Sequence, residues 1–338
     1  MHLHEHADGH ADHGDAAADH ACADADADVN AARSGASGGD RLPASDGLML
    51  LANDGRGTRR GLGRVRRIRP KAAAGAIPAA AAAALVAVSL SGCGGSPAPA
   101  ANSATQQYVV PPVSVSAAQA GKLPQATTYA TIPAAPTDPA RFAVTNGLVV
   151  HPLAAQVVYA APGKAAVAVL PATELGAPTW VPVVRTGAGW DQVLLPSRPD
   201  HITGWIYTAG AKLDTRHTSY LLRVNLAAHR LSVYNDGKLL GSWTVAIGAP
   251  GTPTPTGRTF LLALLAPPDP TYSPLIVPLG THSNALSTYG GGPGTVGIHG
   301  WPDSSVFGQS VSNGCVRVPA TALQLVSTIP LGSLVVIS

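Results

Sequence analysis

The sequence predicts a mainly β protein in the C-terminal two thirds of its 338 residues, led by a disordered N-terminal region. Two observations predict the strands: short runs of β-branched and aromatic residues recur from about 146 onward, and Gly and Pro punctuate them too often for long helices. A third predicts the disorder: the preceding stretches are low in complexity and lack an apolar period.

Hydrophobic residues reach 46%, but alanine inflates that figure and aromatics are only 5%, so the core has to be found locally. Net charge is +3 and the basic residues that do cluster lie between 56 and 71, which argues against a nucleic-acid surface. That cluster, "RGTRRGLGRVRRIRPK", precedes "AAAGAIPAAAAAALVAVSLSGC". A charged n-region, an apolar run and a small-residue ending, in that order, read as an export signal over 49–92. Leu90, Ser91, Gly92 and Cys93 resemble the lipobox of bacterial lipoproteins, in which the cysteine is lipidated and becomes the mature N-terminus. The alternative is a transmembrane anchor, against which stand the alanine content, Gly75, Pro78 and the want of about 20 strongly apolar residues. Residues 1–48 form a His-rich acidic segment with Cys22, and translation from Met49 or nearby would leave it out. No metal site is assigned to it.

Residues 93–145 are rich in Pro, Ala, Ser and Thr and read as an extended tether. Extended at about 3 Å per residue, it would lift the folded domains on the order of 100 Å from a membrane. Residues 146–213 give strand-like runs separated by "TGAG" and "PSRPDHITG", a small β-barrel or open sheet. The "GW…VLLPSRP…TGWI" arrangement is similar to the SH3-like modules that precede wall-active catalytic domains. Trp180, Trp190 and Trp205 are either its core or a platform for glycan or peptide. Residues 219–338 form a further β block, with a hairpin turning at Asn235–Lys238, a helix after Pro319 and a closing strand "LVVIS".

With Cys22 preceding the signal and Cys93 consumed by lipid, Cys315 in "SVSNGCVRV" is left without a disulfide partner. A free thiol, pKa about 8.5, is only a few per cent ionised at neutral pH, so nucleophilic use needs a base and donors for an oxyanion. His299, after the apolar run "TVGI", is the candidate base, and Gly314 allows a turn exposing the sulfur. The alternative is a buried, inert cysteine beside a satisfied histidine.

"IHG" at 298–300 followed by "SNGCVR" at 312–317 closely resembles the signature of the L,D-transpeptidase catalytic domain, also called YkuD. "TPTG" at 254–257 and "PLGSLVVI" at the end support the resemblance, which covers 219–338. It implies a YkuD-type β-sandwich with Cys315 as nucleophile and His299 as base. It further implies that the Gly300 carbonyl orients the imidazole and that backbone donors at Gly314 and Cys315 form the oxyanion hole. Ser312 positions the loop, and Asn313 stands where many members have histidine, so its role is limited to hydrogen bonding. In the glycine-rich 281–293 segment, read as a mobile flap, Tyr289 and His282 are candidate substrate contacts, and Arg317 is a candidate anchor for the loop or for a substrate carboxylate.

The function implied is a lipid-anchored L,D-transpeptidase at the outer face of the cytoplasmic membrane. It would make 3→3 crosslinks between peptidoglycan stem peptides, without metal or organic cofactor, with carbapenems as the inhibitor class. The alternatives are an L,D-carboxypeptidase using the same acyl-enzyme and a non-catalytic wall-binding lipoprotein.

Overall fold

The structure, a computed structural model, describes residues 108–338 apart from 269, 290 and 291. The His-rich segment, the export signal, Cys93 and the start of the tether lie outside the described residues.

The first β block contains β1 (Leu148–Pro152), β2 (Gln156–Tyr159), β3 (Ala166–Leu170), β4 (Thr173–Glu174), β5 (Ala177–Pro178), β6 (Val181–Gly187), β7 (Trp190–Leu194), β8 (Thr203–Tyr207) and β9 (Leu213–His217). Seven of these pair antiparallel in the order β3-β2-β8-β7-β6-β1-β9, with β4 and β5 forming a separate small hairpin. The sequence predicts a small β-barrel or open sheet over 146–213, similar to SH3-like modules. The strands pair as a seven-membered ladder with β3 and β9 as its edges, the open-sheet form of that expectation, and β9 carries it to His217. Trp190 belongs to its core at 1% exposure, in edge-on contact with Tyr159 and Tyr207. Trp180 is covered by the Arg216 guanidinium, 3.7 Å above its ring.

The stretch read as the end of a tether is packed. Residues 108–145, with one short helix α1 (Ala117–Ala120), run along the first sheet as a strap. Ala126 donates its N–H to Val169 at 2.7 Å, Ile132 to Arg198 at 2.7 Å and Asp138 to His201 at 2.7 Å. Ile132 is buried with the sheet's own residues. The composition argument concerns a segment folding alone, and it fails here because a sheet already present supplies both the apolar surface and the backbone partners. A buried ion pair locks the strap further on: Arg258 donates from Nε to Asp138 at 2.6 Å and from Nη2 at 2.7 Å.

The second block continues with β10 (Tyr220–Asn225), β11 (Arg230–Asn235), β12 (Lys238–Thr244), β13 (Ile247–Gly248), β14 (Gly257–Phe260), β15 (Ile276–His282), β16 (Thr295–Gly300), β17 (Ser310–Ser312), β18 (Val316–Val318), α2 (Ala320–Val326) and β19 (Leu334–Ile337). The β11–β12 hairpin turns where Asp236 and Gly237 both take positive φ, the conformation that "NDG" favours. A five-stranded sheet, β12-β11-β10-β19-β14, faces a three-stranded one, β15-β16-β18, across one apolar core, which is the expected sandwich.

That block does not bury itself alone. In β19, Val335 and Ile337 enter the sandwich core, while Leu334 and Val336 point the other way, into the core shared with the first block and strap. Phe260 and Leu262 join that shared core, Leu261 the sandwich core. A strand buried on both faces reads as a continuous apolar run, which is why "LVVI" shows no alternation.

Candidate active site

The site forms on the outer face of the three-stranded sheet. Along β16, Val296 and Ile298 enter the sandwich core, so Gly297 and His299 face away from it. Along β18, Val316 and Val318 do the same, which places Arg317, and Cys315 just before it, on the side of His299. β16 and β18 pair in parallel with Ile298 opposite Val316 and His299 opposite Arg317. Period-two alternation in two adjacent strands thus brings the predicted nucleophile and base to one face.

Cys315 is 7% exposed, and the N–H of Gly297 donates to its Sγ at 3.4 Å. Hydrogen bonding of this kind favours negative charge on sulfur. His299 is almost fully buried, and its Nδ1 donates to the carbonyl of Gly300 at 2.8 Å, the contact that the family resemblance implies. A carbonyl only accepts, so the proton sits on Nδ1 and the neutral ring keeps its lone pair on Nε2. Gly300 is itself fixed, its N–H donating to Ser273 Oγ at 2.7 Å, and a Cβ there would lie 3.0 Å from that oxygen.

The turn before Cys315 is held by hydroxyls. Ser312 Oγ donates to the Cys315 carbonyl at 2.6 Å and accepts from the Gly314 N–H at 3.2 Å. Thr254 Oγ1 donates to the Gly314 carbonyl at 2.8 Å and accepts from Gly248 N–H at 2.9 Å, and Thr252 donates to the Ser312 carbonyl at 2.9 Å. Gly314 has φ +117°, a left-handed conformation that accounts for glycine at this position. One expectation is corrected here: the Gly314 N–H, assigned to the oxyanion hole, is already engaged by Ser312, because the turn bends it back on itself.

The remaining predicted residues divide. Asn313 Nδ2 donates to the Tyr289 hydroxyl at 3.2 Å, so these two meet beside Cys315. Arg317 is only 4% exposed, and its guanidinium lies 3.6 Å above the Trp301 ring, so its cation supports that indole rather than facing solvent. His282 is not a substrate contact. It is fully buried, with Nδ1 3.1 Å from Asp200 Oδ1 and Nε2 2.7 Å from the Thr128 carbonyl, both outside the second block. Its place at the end of β15 puts it against the strap and first block, which the sequence gives no means of placing there.

Sequence reasoning misses the aromatic wall. Tyr272 stands edge-on to His299 with centroids 4.9 Å apart, and Trp301 lies 5.6 Å from Tyr272. With Leu275, Gly300, Leu323 and Gln324 these rings line a cavity of about 410 Å³. The "WP" directly after "IHG" was the available signal for Trp301, while Tyr272 sits in a Pro-rich loop with none.

This arrangement is joined by a match of sequence. Residues 219–337 match the L,D-transpeptidase catalytic domain, YkuD. The matched YkuD domain contains each residue of the face just described and begins at the strand after the first block. Similar solved structures include an L,D-transpeptidase from Mycobacterium smegmatis, at 17% identity over 47% of this chain and 82% of that one, with a TM-score of 0.30. The catalytic domain of the E. faecium L,D-transpeptidase is 22% identical over 36% of this chain and 99% of its own, with a TM-score of 0.28. L,D-transpeptidase 3 from Mycobacterium tuberculosis, solved with a faropenem-derived adduct, is 14% identical over 41% and 74%, with a TM-score of 0.29. No curated protein matches the chain.

Proposed function

We propose that the protein is a cell-wall L,D-transpeptidase that forms 3→3 peptidoglycan crosslinks through a thioester on Cys315. The observation that carries this is the single face of β16 and β18 on which Cys315, with an N–H aimed at its sulfur, and His299, with its tautomer set by Gly300, are gathered within the YkuD match. Sγ attacks the carbonyl between the diamino acid and the terminal D-alanine of a tetrapeptide stem. Nε2 of His299 takes the thiol proton and returns it to the departing D-alanine amine. The side-chain amine of a second stem then attacks the thioester, gives its proton to His299, and releases the thiol. With the Gly314 N–H engaged, the Cys315 N–H is the donor assigned to the oxyanion.

Export and lipidation at Cys93 belong to the same proposal and place the domain on the outer face of the cytoplasmic membrane. With residues 108–145 packed, any tether is confined to the chain before them. Cells carrying only Cys315→Ala are expected to lose 3→3 crosslinks in their muropeptides. Unchanged crosslinks with altered tripeptide content would instead identify a carboxypeptidase, and unchanged membrane fractionation of Cys93→Ala would remove the anchor.

A further inference from the structure

The 283–294 loop that brings Tyr289 to Asn313 is gripped from the first β block. Arg198, in the connection between β7 and β8, reaches into this loop. It donates from Nη1 to the Ser283 carbonyl at 3.2 Å, and from Nη2 to the carbonyls of Leu286 at 3.1 Å and Pro293 at 2.8 Å. The neck is closed by the Ser283 N–H donating to Gly294 at 2.8 Å. Gly294 has φ +75°, and a Cβ there would come within 2.5 Å of the Leu286 carbonyl oxygen and 2.9 Å of Arg198 Nη2, so glycine leaves room where the two meet.

Two residues on, Asp200 fixes the strand that enters the loop. Its carboxylate accepts from Thr281 Oγ1 at 2.8 Å, from the His282 N–H at 2.9 Å and from His282 Nδ1 at 3.1 Å. The gripping segment is itself anchored to the strap: Arg198 N–H donates to Ala130 at 2.9 Å, and Ser197 Oγ to Thr127 at 2.8 Å. A planar guanidinium reaches the three carbonyls from two separate nitrogens in a fixed fork, whereas an ammonium would have to present all its donors from a single point.

We propose that Arg198, supported by Asp200, is a positioning residue for acylation of Cys315. By holding the loop at Ser283, Leu286 and Pro293 it sets the Tyr289 hydroxyl against Asn313, two residues from the nucleophile. The first β block thereby acts as part of the donor site's frame, and the strap as the support behind it. Arg198 touches neither Cys315 nor His299 by any of these bonds, so its effect falls on the placement of a large acyl donor and not on the thiol's own reactivity.

This rests on the thioester reading above, and the test separates the two. Full-length wild type and Arg198→Ala are compared for the second-order rate of carbapenem acylation and for alkylation by iodoacetamide, both read at the Cys315 peptide by mass spectrometry. Acylation is expected to fall about tenfold or more in Arg198→Ala, with alkylation within about twofold of wild type, since a displaced contact near the reacting centre costs on that order. Equal acylation rates, or equal slowing with both reagents, would overturn the proposal. Should Arg198→Ala not fold, Arg198→Lys and Tyr289→Phe carry the same comparison, with a selective loss of about threefold expected and wild-type acylation in both overturning it. A wild type that takes no adduct while Cys315 still alkylates would instead remove the thioester reading, and this inference with it.

Discussion

The Nδ1 of His299 donates to the carbonyl of its neighbour Gly300 over 2.8 Å, which leaves Nε2 as the basic nitrogen of the ring. A base whose tautomer is set by the backbone of its own strand needs no third side chain to orient it. The Ser273 hydroxyl, accepting from the Gly300 N–H at 2.7 Å, holds that peptide in place.

His299→Gln is expected to lower the carbapenem acylation rate at pH 7 by about 10²- to 10⁴-fold, the usual contribution of a positioned base. The residual rate should climb steeply with pH as the thiol ionises unaided. A variant within threefold of wild type at pH 7 would remove His299 from the role.

The strap makes a different claim, on stability. Asp138 and Arg258 are buried together, their side chains 0% and 4% exposed. Asp138→Ala leaves the guanidinium buried without its carboxylate, and a loss of about 3–5 kcal/mol in urea unfolding is expected. Replacing both, as Asp138→Leu with Arg258→Met, should recover much of it. A loss below about 1 kcal/mol for the single variant would mean that the strap is held by other contacts.

Glu174 gives a pH dependence. Its Oε1 accepts the Thr128 N–H at 2.5 Å, while Oε2 is buried with no partner among the described residues. Burial pushes the carboxyl from its ordinary 4.5 up to about 8, against the opposing pull of the Thr128 bond. The folded state then holds a proton that the unfolded state has released, so stability falls as pH rises from about 4.5 through 8. Burial lowers His201 from its ordinary 6.5, which acts in the opposite sense only below that value. The decline should therefore be clearest between about pH 6.5 and 8.5, where about 2 kcal/mol is expected to go, and Glu174→Gln should flatten it. Identical pH profiles for the two proteins would contradict the assignment.

How much of the molecule was legible in its sequence depends on where each signal resides. Cys315, His299 and Gly300 were legible through the resemblance of "IHG" and "SNGCVR" to the L,D-transpeptidase signature, while the pairing of β16 with β18 that puts Cys315 and His299 on one face is visible only in the structure. Ser312 came with the same signature, and its partners lie within its own turn. His282 was not legible, since its partners Asp200 and Thr128 are 82 and 154 residues away. The strap's order is not legible because its own composition favours disorder, whereas Ile132 and Asp138 find their partners on surfaces built by other segments. Tyr272 and Trp301 escaped because a ring packed on the His299 imidazole has no spacing that distinguishes it from a core ring.

The central claim, that Cys315 is an acylating nucleophile, is tested most directly by the intact mass of the purified protein after incubation with a carbapenem. The expected result is a stoichiometric covalent adduct on wild type, mapped to the Cys315 peptide and absent from Cys315→Ala. A folded wild type that remains at its unmodified mass, or an adduct that persists in Cys315→Ala, would contradict it.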